Sequence, residues 1–376
     1  MGVVRIARWP GATNIMGMRT HTLVSYAAAA LAVAACSHAP PADYAPDPGL
    51  VAQMKAIRIV TTSTACPGQA FYASYTAVMN DGTEVPFATR YDKKHPPKLH
   101  VIFLDRSSPQ ADALQDGGWA AERDPLVSAQ TGFHLNAALR FKPAIRGEAV
   151  VTPDYSCTNH AFGFEGDGGH DGPDVTVRLA MGRTPYIEKL LIAAIEVADA
   201  PPFYAFYNAS TIPPRSFLII EARGGRGYSG QGGRAGLKGN NGNHCGDGGN
   251  GGNGEGGGVG GPGGRGGHIT IIVPQEEPFL AGVVDARTPG GKGGPGGKGG
   301  AGGGGGPGGD ADKDARGNAC PKGKDGSAGT AGVNGAEGRE GPYGSQPQVI
   351  TVPNNSVLGP FAPAAILDLL VRGPRR

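Results

Sequence analysis

The chain reads as mainly β, an immunoglobulin-like β-sandwich followed by a small sheet that carries two glycine-rich excursions. Three observations carry that expectation. Short runs in the first half alternate apolar and polar at period two, the mark of half-buried strands. Of 67 glycines in 376 residues, 24 fall in residues 224–267 and another 24 in residues 290–344. Those glycines hold a strict three-residue phase. Stretches in which nearly half the residues lack a side chain cannot build an ordinary enzyme core.

In chain order, residues 1–35 carry Arg5, Arg8 and Arg19 and no acid, with an apolar run from Leu23 to Ala35. That run is too short to span a bilayer and reads as a removable signal segment. Its end, Val33-Ala34-Ala35-Cys36, resembles the lipobox of bacterial lipoproteins. The resemblance implies cleavage before Cys36, lipidation of Cys36, and anchoring in a membrane, with Ser37 pointing to the outer membrane. Residues 36–49, rich in proline, read as an extended tether.

Residues 50–215 supply the expected sandwich. Phe133, Leu135, Ala137, Leu139 and Phe141 alternate with polar or small residues, as do Val175, Val177, Leu179 and Met181. Further strands are expected at 57–62, 70–79, 99–104, 148–152, 190–197 and 203–207, with Asn80-Asp81-Gly82 as a hairpin turn. Trp119 between Cys66 and Cys157 partly matches the immunoglobulin Cys–Trp–Cys pattern.

Residues 216–353 read as a duplication. Glu221-Ala222-Arg223 before Gly224 recurs as Asp285-Ala286-Arg287 before Gly290, and each glycine run ends on a strand, Ile269–Pro274 or Val349–Pro353. The four strands are expected in one sheet. From Gly224 to Gly266 every third residue is glycine except Cys245, and from Gly290 to Gly344 the exceptions are Ala311, Asp314 and Cys320. Such a period needs a helix of three residues per turn, the polyproline II type, with a glycine edge where another backbone approaches.

These repeats resemble bacterial collagen-like surface proteins, and in packing mode they are similar to polyglycine II bundle proteins such as snow-flea antifreeze protein and to glycine-rich phage adhesin tips. A collagen-type trimer, a monomer whose helices fold back on themselves, and a disordered chain are the three outcomes. Low proline content in residues 224–267 and the need to bring both ends of each run together favour the folded-back monomer. Residues 354–376 are expected to close the chain with a helix, Phe361–Val371.

With Cys36 lipidated, four cysteines remain in an exported chain, and their positions favour Cys66–Cys157 and Cys245–Cys320 disulfides over the other pairings. No catalytic constellation appears. Gly225-Arg226-Gly227-Tyr228-Ser229-Gly230 spells a dinucleotide fingerprint, but no helix can follow it. Asp167 to Asp174 reads as a solvated turn in preference to a Ca²⁺ loop. A formal charge of +2 with interspersed signs excludes nucleic acid as a partner. No cofactor is expected. The functional expectation is a structural or adhesive cell-envelope lipoprotein that meets a surface polymer or a protein ligand, with a carbohydrate-binding or carbohydrate-processing cleft in residues 50–215 as the alternative.

Overall fold

The computed structural model describes residues 40–41, 43–313 and 316–370; the signal segment and Cys36 lie outside them. The fold is mainly β, 33% strand and 8% helix, in several small sheets, none closed.

The first part of the chain forms β1 (Met54–Thr61), β2 (Ala73–Met79) and β3 (Glu84–Pro86), an antiparallel sheet. A second sheet holds β4 (Leu104–Ser107), β5 (Phe133–Leu139) and β6 (Lys142–Pro153), with Thr64–Ala65 on its edge. The expected turn closes β2 onto β3, with Gly82 at a φ of 83° that favours glycine. Alternation along β5 buries Phe133, Leu135, Ala137 and Leu139 completely, so pattern and packing agree. Trp119 is also fully buried, and its indole N–H donates to the Tyr75 hydroxyl at 2.8 Å. The guanidinium of Arg106 lies 5.9 Å from the Trp119 ring, a cation–π contact in the core.

The expected strand at 99–104 forms only in part. Residues Val101–Phe103 make a 3₁₀ turn because Nδ1 of the buried His100 accepts from the Ile102 N–H at 3.1 Å. Burial lowers the pKa of His100, which keeps that nitrogen free to accept. The proline-rich segment also meets the fold: Tyr44 packs on Phe103 and Tyr91, and its hydroxyl donates to the Pro97 carbonyl.

The second part begins at β7 (Ala161–Glu165), not at residue 216. It continues through β8 (Asp174–Gly182), β9 (Leu190–Val197), β10 (Phe203–Asn208), β11 (Leu218–Arg223), β12 (His268–Pro274), β13 (Val284–Arg287) and β14 (Gln348–Val352). One sheet has the order β7-β11-β13, and the other β10-β9-β8-β12-β14. The strands flanking the glycine runs therefore divide between two sheets, where one was expected. Four of the six pairings here are parallel, unlike an antiparallel immunoglobulin arrangement.

The two sheets share one core, built from Val175, Val177, Ile220, Ala222, Ile269 and Ile271 among others. The outer face of the five-stranded sheet is covered by Val357, Leu358, Ile366 and Leu369. The closing helix spans only Ala364–Leu367, since Pro363 starts it and Leu370 already bridges Gly182.

This topology contains three copies of one crossover, where the sequence showed two. Each copy leaves a strand of the three-stranded sheet and returns in the five-stranded one: β7 to β8, β11 to β12, β13 to β14. The first crossover is the Asp167 loop. Spatial register also differs from the sequence match, because Glu221 pairs with Arg287 and not with Asp285. The strands thus follow the glycines, which align at Gly224 and Gly290, and the two residues Thr288-Pro289 absorb the difference.

Candidate functional site

The two long crossovers run out and back as four legs, residues 224–242, 246–266, 290–309 and 323–344. Their backbones bond at every third residue. The Gly230, Gly233 and Gly236 N–H groups of leg 1 donate to Pro295, Lys298 and Ala301 of leg 3 at 2.8 Å. Leg 2 donates to leg 1 through Gly252, Gly258 and Gly261, and to leg 4 through Gly251, Gly254 and Gly257. Leg 3 donates to leg 2, and leg 4 to leg 3. Among the four legs, legs 2 and 3 therefore each touch three others, and legs 1 and 4 only two.

The glycine content of each leg follows from that count. Legs 2 and 3 are Gly-Gly-x almost throughout, and legs 1 and 4 are mostly Gly-x-y. A Cβ at Gly251 would collide with the Gly303 carbonyl, one at Gly294 with the Tyr228 carbonyl, and one at Gly326 with the Gly249 carbonyl. Backbones in hydrogen-bond contact leave no space for a side chain on the facing edge. Side chains also reinforce the contacts: Asp247, Asn250 and Asn253 of leg 2 accept from the N–H groups of Lys324, Ser327 and Thr330.

At the far end Cys245 and Cys320 are bonded, with Cα atoms 5.9 Å apart. His244 adopts a left-handed φ of 47° there, and its ring nitrogen lies 3.1 Å from the Asp312 carboxylate. The Lys313 N–H, with His244, holds the Asp312 carboxyl below the usual range. Cys66 and Cys157 form the second bonded pair, Cα atoms 6.2 Å apart, and tie the first part of the chain to the approach to β7. Both pairs are the ones favoured by cysteine position.

At the near end the first crossover lies against legs 1 and 2. Gly166 and Gly169 donate to the carbonyls of Arg223 and Arg226, and Gly172 donates to that of Arg265. Asp171 accepts from the Arg265 N–H at 3.0 Å, so this carboxylate serves packing. Among the described residues no three His, Cys, Asp or Glu side chains come together as metal ligands. The fingerprint-like stretch 225–230 is the start of leg 1 and continues into no helix.

A separate cavity of about 730 Å³ lies between the two parts, beside Cys157, and is bordered by Arg123, Asp124, Leu126, Asn159, Phe162 and Phe203. The sequence held no signal for it, because its walls come from segments far apart in the chain. No helix among the described residues is long and apolar enough to cross a membrane. No protein family matches the chain, and neither a curated protein nor a solved structure matches it.

Proposed function

We propose that the chain is a cell-envelope lipoprotein, anchored through Cys36, whose glycine-rich part is a polyglycine II bundle with a structural or adhesive role at the cell surface. The observation that carries this reading is the network of main-chain bonds between the four legs, repeated every third residue and joined at the tip by Cys245–Cys320. At about 3.1 Å per residue, a leg of this kind projects on the order of 60 Å from the sheets. A rigid arm of that length, with side chains only on its outer edges, suits contact with a surface polymer or a protein. Protease treatment of intact cells tests it: cleavage of the arm is expected in cells making the wild-type chain, and release of the chain from the membrane on Cys36→Ala. An arm left intact on whole cells but cleaved after lysis overturns surface display.

The cavity favours a second reading, a carbohydrate-binding cleft within residues 50–215. Its size falls in the range of small-ligand pockets, and it pairs the aromatic rings of Phe162 and Phe203 with the polar groups of Arg123 and Asn159. Saccharide binding that is lost on Phe203→Ala would support it.

A further inference from the structure

A second cavity, of about 530 Å³, lies in the first part of the chain, where residues 62–72, the 114–118 loop and Asp154 meet. Its walls are held from behind. Ala70–Phe71 pairs with Trp119 and Ala120, and both Phe71 and Trp119 are buried. Thr64–Ala65 pairs with Thr152 and Pro153, and the Asp154 N–H donates to the Ala65 carbonyl at 2.8 Å. From the core side, the Tyr75 hydroxyl donates to the Gly117 carbonyl at 2.9 Å, and Arg106 donates to the carbonyls of Leu114 and Gly118. Cys66 borders the cavity and is bonded to Cys157. Walls fixed in this way need little reordering when a ligand binds.

The lining side chains divide into one aromatic ring and a set of polar groups. Tyr72 follows the buried Phe71, falls on the opposite face, and is 72% exposed. Asp116 accepts from the Gly118 N–H at 3.0 Å and Asp154 from the Ser156 N–H at 2.8 Å, each through Oδ1. Their Oδ2 atoms take no hydrogen bond or ion pair from the described residues, and neither do the Gln69 amide and the hydroxyls of Thr64 and Tyr72. No Lys, Arg or His lines the cavity.

That composition selects the ligand. Two carboxylates with no cation on the wall repel a phosphate or a carboxylate. A wholly apolar molecule would cover the carboxylates and leave them without partners, at the cost of their desolvation. Hydroxyl donors satisfy the free oxygens, and C–H bonds meet the negative face of the Tyr72 ring. A sugar ring presents both on one small body. We infer that this cavity binds a neutral sugar unit of a polysaccharide, stacked on Tyr72, with hydroxyls donating to Asp116 and Asp154. The inference rests on the saccharide class of the second reading above, but at a different site. Both cavities border one disulfide, this one through Cys66 and the Phe203 cavity through Cys157.

The test titrates the purified oxidised chain with cellohexaose and with chitohexaose, two neutral glycans, by isothermal titration calorimetry. Saturable binding of at least one is expected, weakened about tenfold or more by Tyr72→Ala and retained by Tyr72→Trp, which keeps a stacking face. Because Tyr72 is exposed, the alanine variant is expected to keep the wild-type melting curve. Asp116→Asn with Asp154→Asn keeps one carbonyl oxygen for each turn and removes the free acceptors, and is also expected to weaken binding about tenfold or more. Phe203→Ala is expected to leave this binding unchanged. Absence of saturable binding of either glycan, or equal affinity of the wild type and Tyr72→Ala, overturns the inference. Binding lost on Phe203→Ala but kept on Tyr72→Ala also overturns it and assigns the glycan to the other cavity, so the two sites fail separately.

Discussion

Glycines that look alike in the sequence differ sharply in what they do. Gly251 and Gly252 are neighbours on leg 2. A Cβ on the first would strike the Gly303 carbonyl; on the second its nearest neighbour would be the Leu237 nitrogen at 3.2 Å. Gly251→Ala is therefore expected to destabilise the chain by about 1–3 kcal/mol through overpacking. Gly252→Ala is expected to be neutral or to stabilise by up to about 1 kcal/mol, since alanine lowers the entropy of the unfolded chain. Paired thermal melts decide it, and equal losses would show that Gly252 is also structural.

At the scale of elements, the excursions are held at both ends. Their near ends grow out of parallel strands whose register, Ile219 to Asp285 and Thr270 to Gln348, continues directly into the legs. Their far ends meet at one disulfide, because legs 1–2 and 3–4 turn at the same height. A crosslink closing 75 residues contributes about 4 kcal/mol in the loop-entropy model. Replacing both Cys245 and Cys320 by serine is expected to open the tip first. Limited proteolysis should then cut near residues 310–322, while amides of the β8 and β12 strands keep their slow hydrogen exchange. Loss of protection in the strands at the same rate would show that legs and sheets unfold together.

Across the whole molecule, the arm is finite because its outer legs carry side chains. Leg 4 presents Ala328, Ala331, Glu337 and Glu340 outward, all exposed, and no further leg can approach them as legs 2 and 3 approach each other. A closed set of four satisfies its glycine edges within one chain. Light scattering with small-angle X-ray scattering is expected to report a monomer with a protruding arm; a trimeric mass would return the collagen assembly to favour.

Much of this was legible in the residues alone. The three-residue phase, its breaks at Cys245 and around Cys320, and the period-two strands such as 133–139 are local patterns, and local patterns dictate backbone repeat and which edge must be bare. The cysteine pairs also followed from position. Tertiary structure alone decided which strands share a sheet, because β8 pairs with β12 and β11 with β13, partners that lie beyond long crossovers. It likewise decided that Asp167 to Asp174 is a third, shortened copy: two triplets are too brief to stand out as a period, and only their bonds to Arg223, Arg226 and Arg265 reveal it. The count of neighbours around each leg explains why one leg is Gly-Gly-x and another Gly-x-y, since glycine is needed wherever a backbone comes within hydrogen-bond reach.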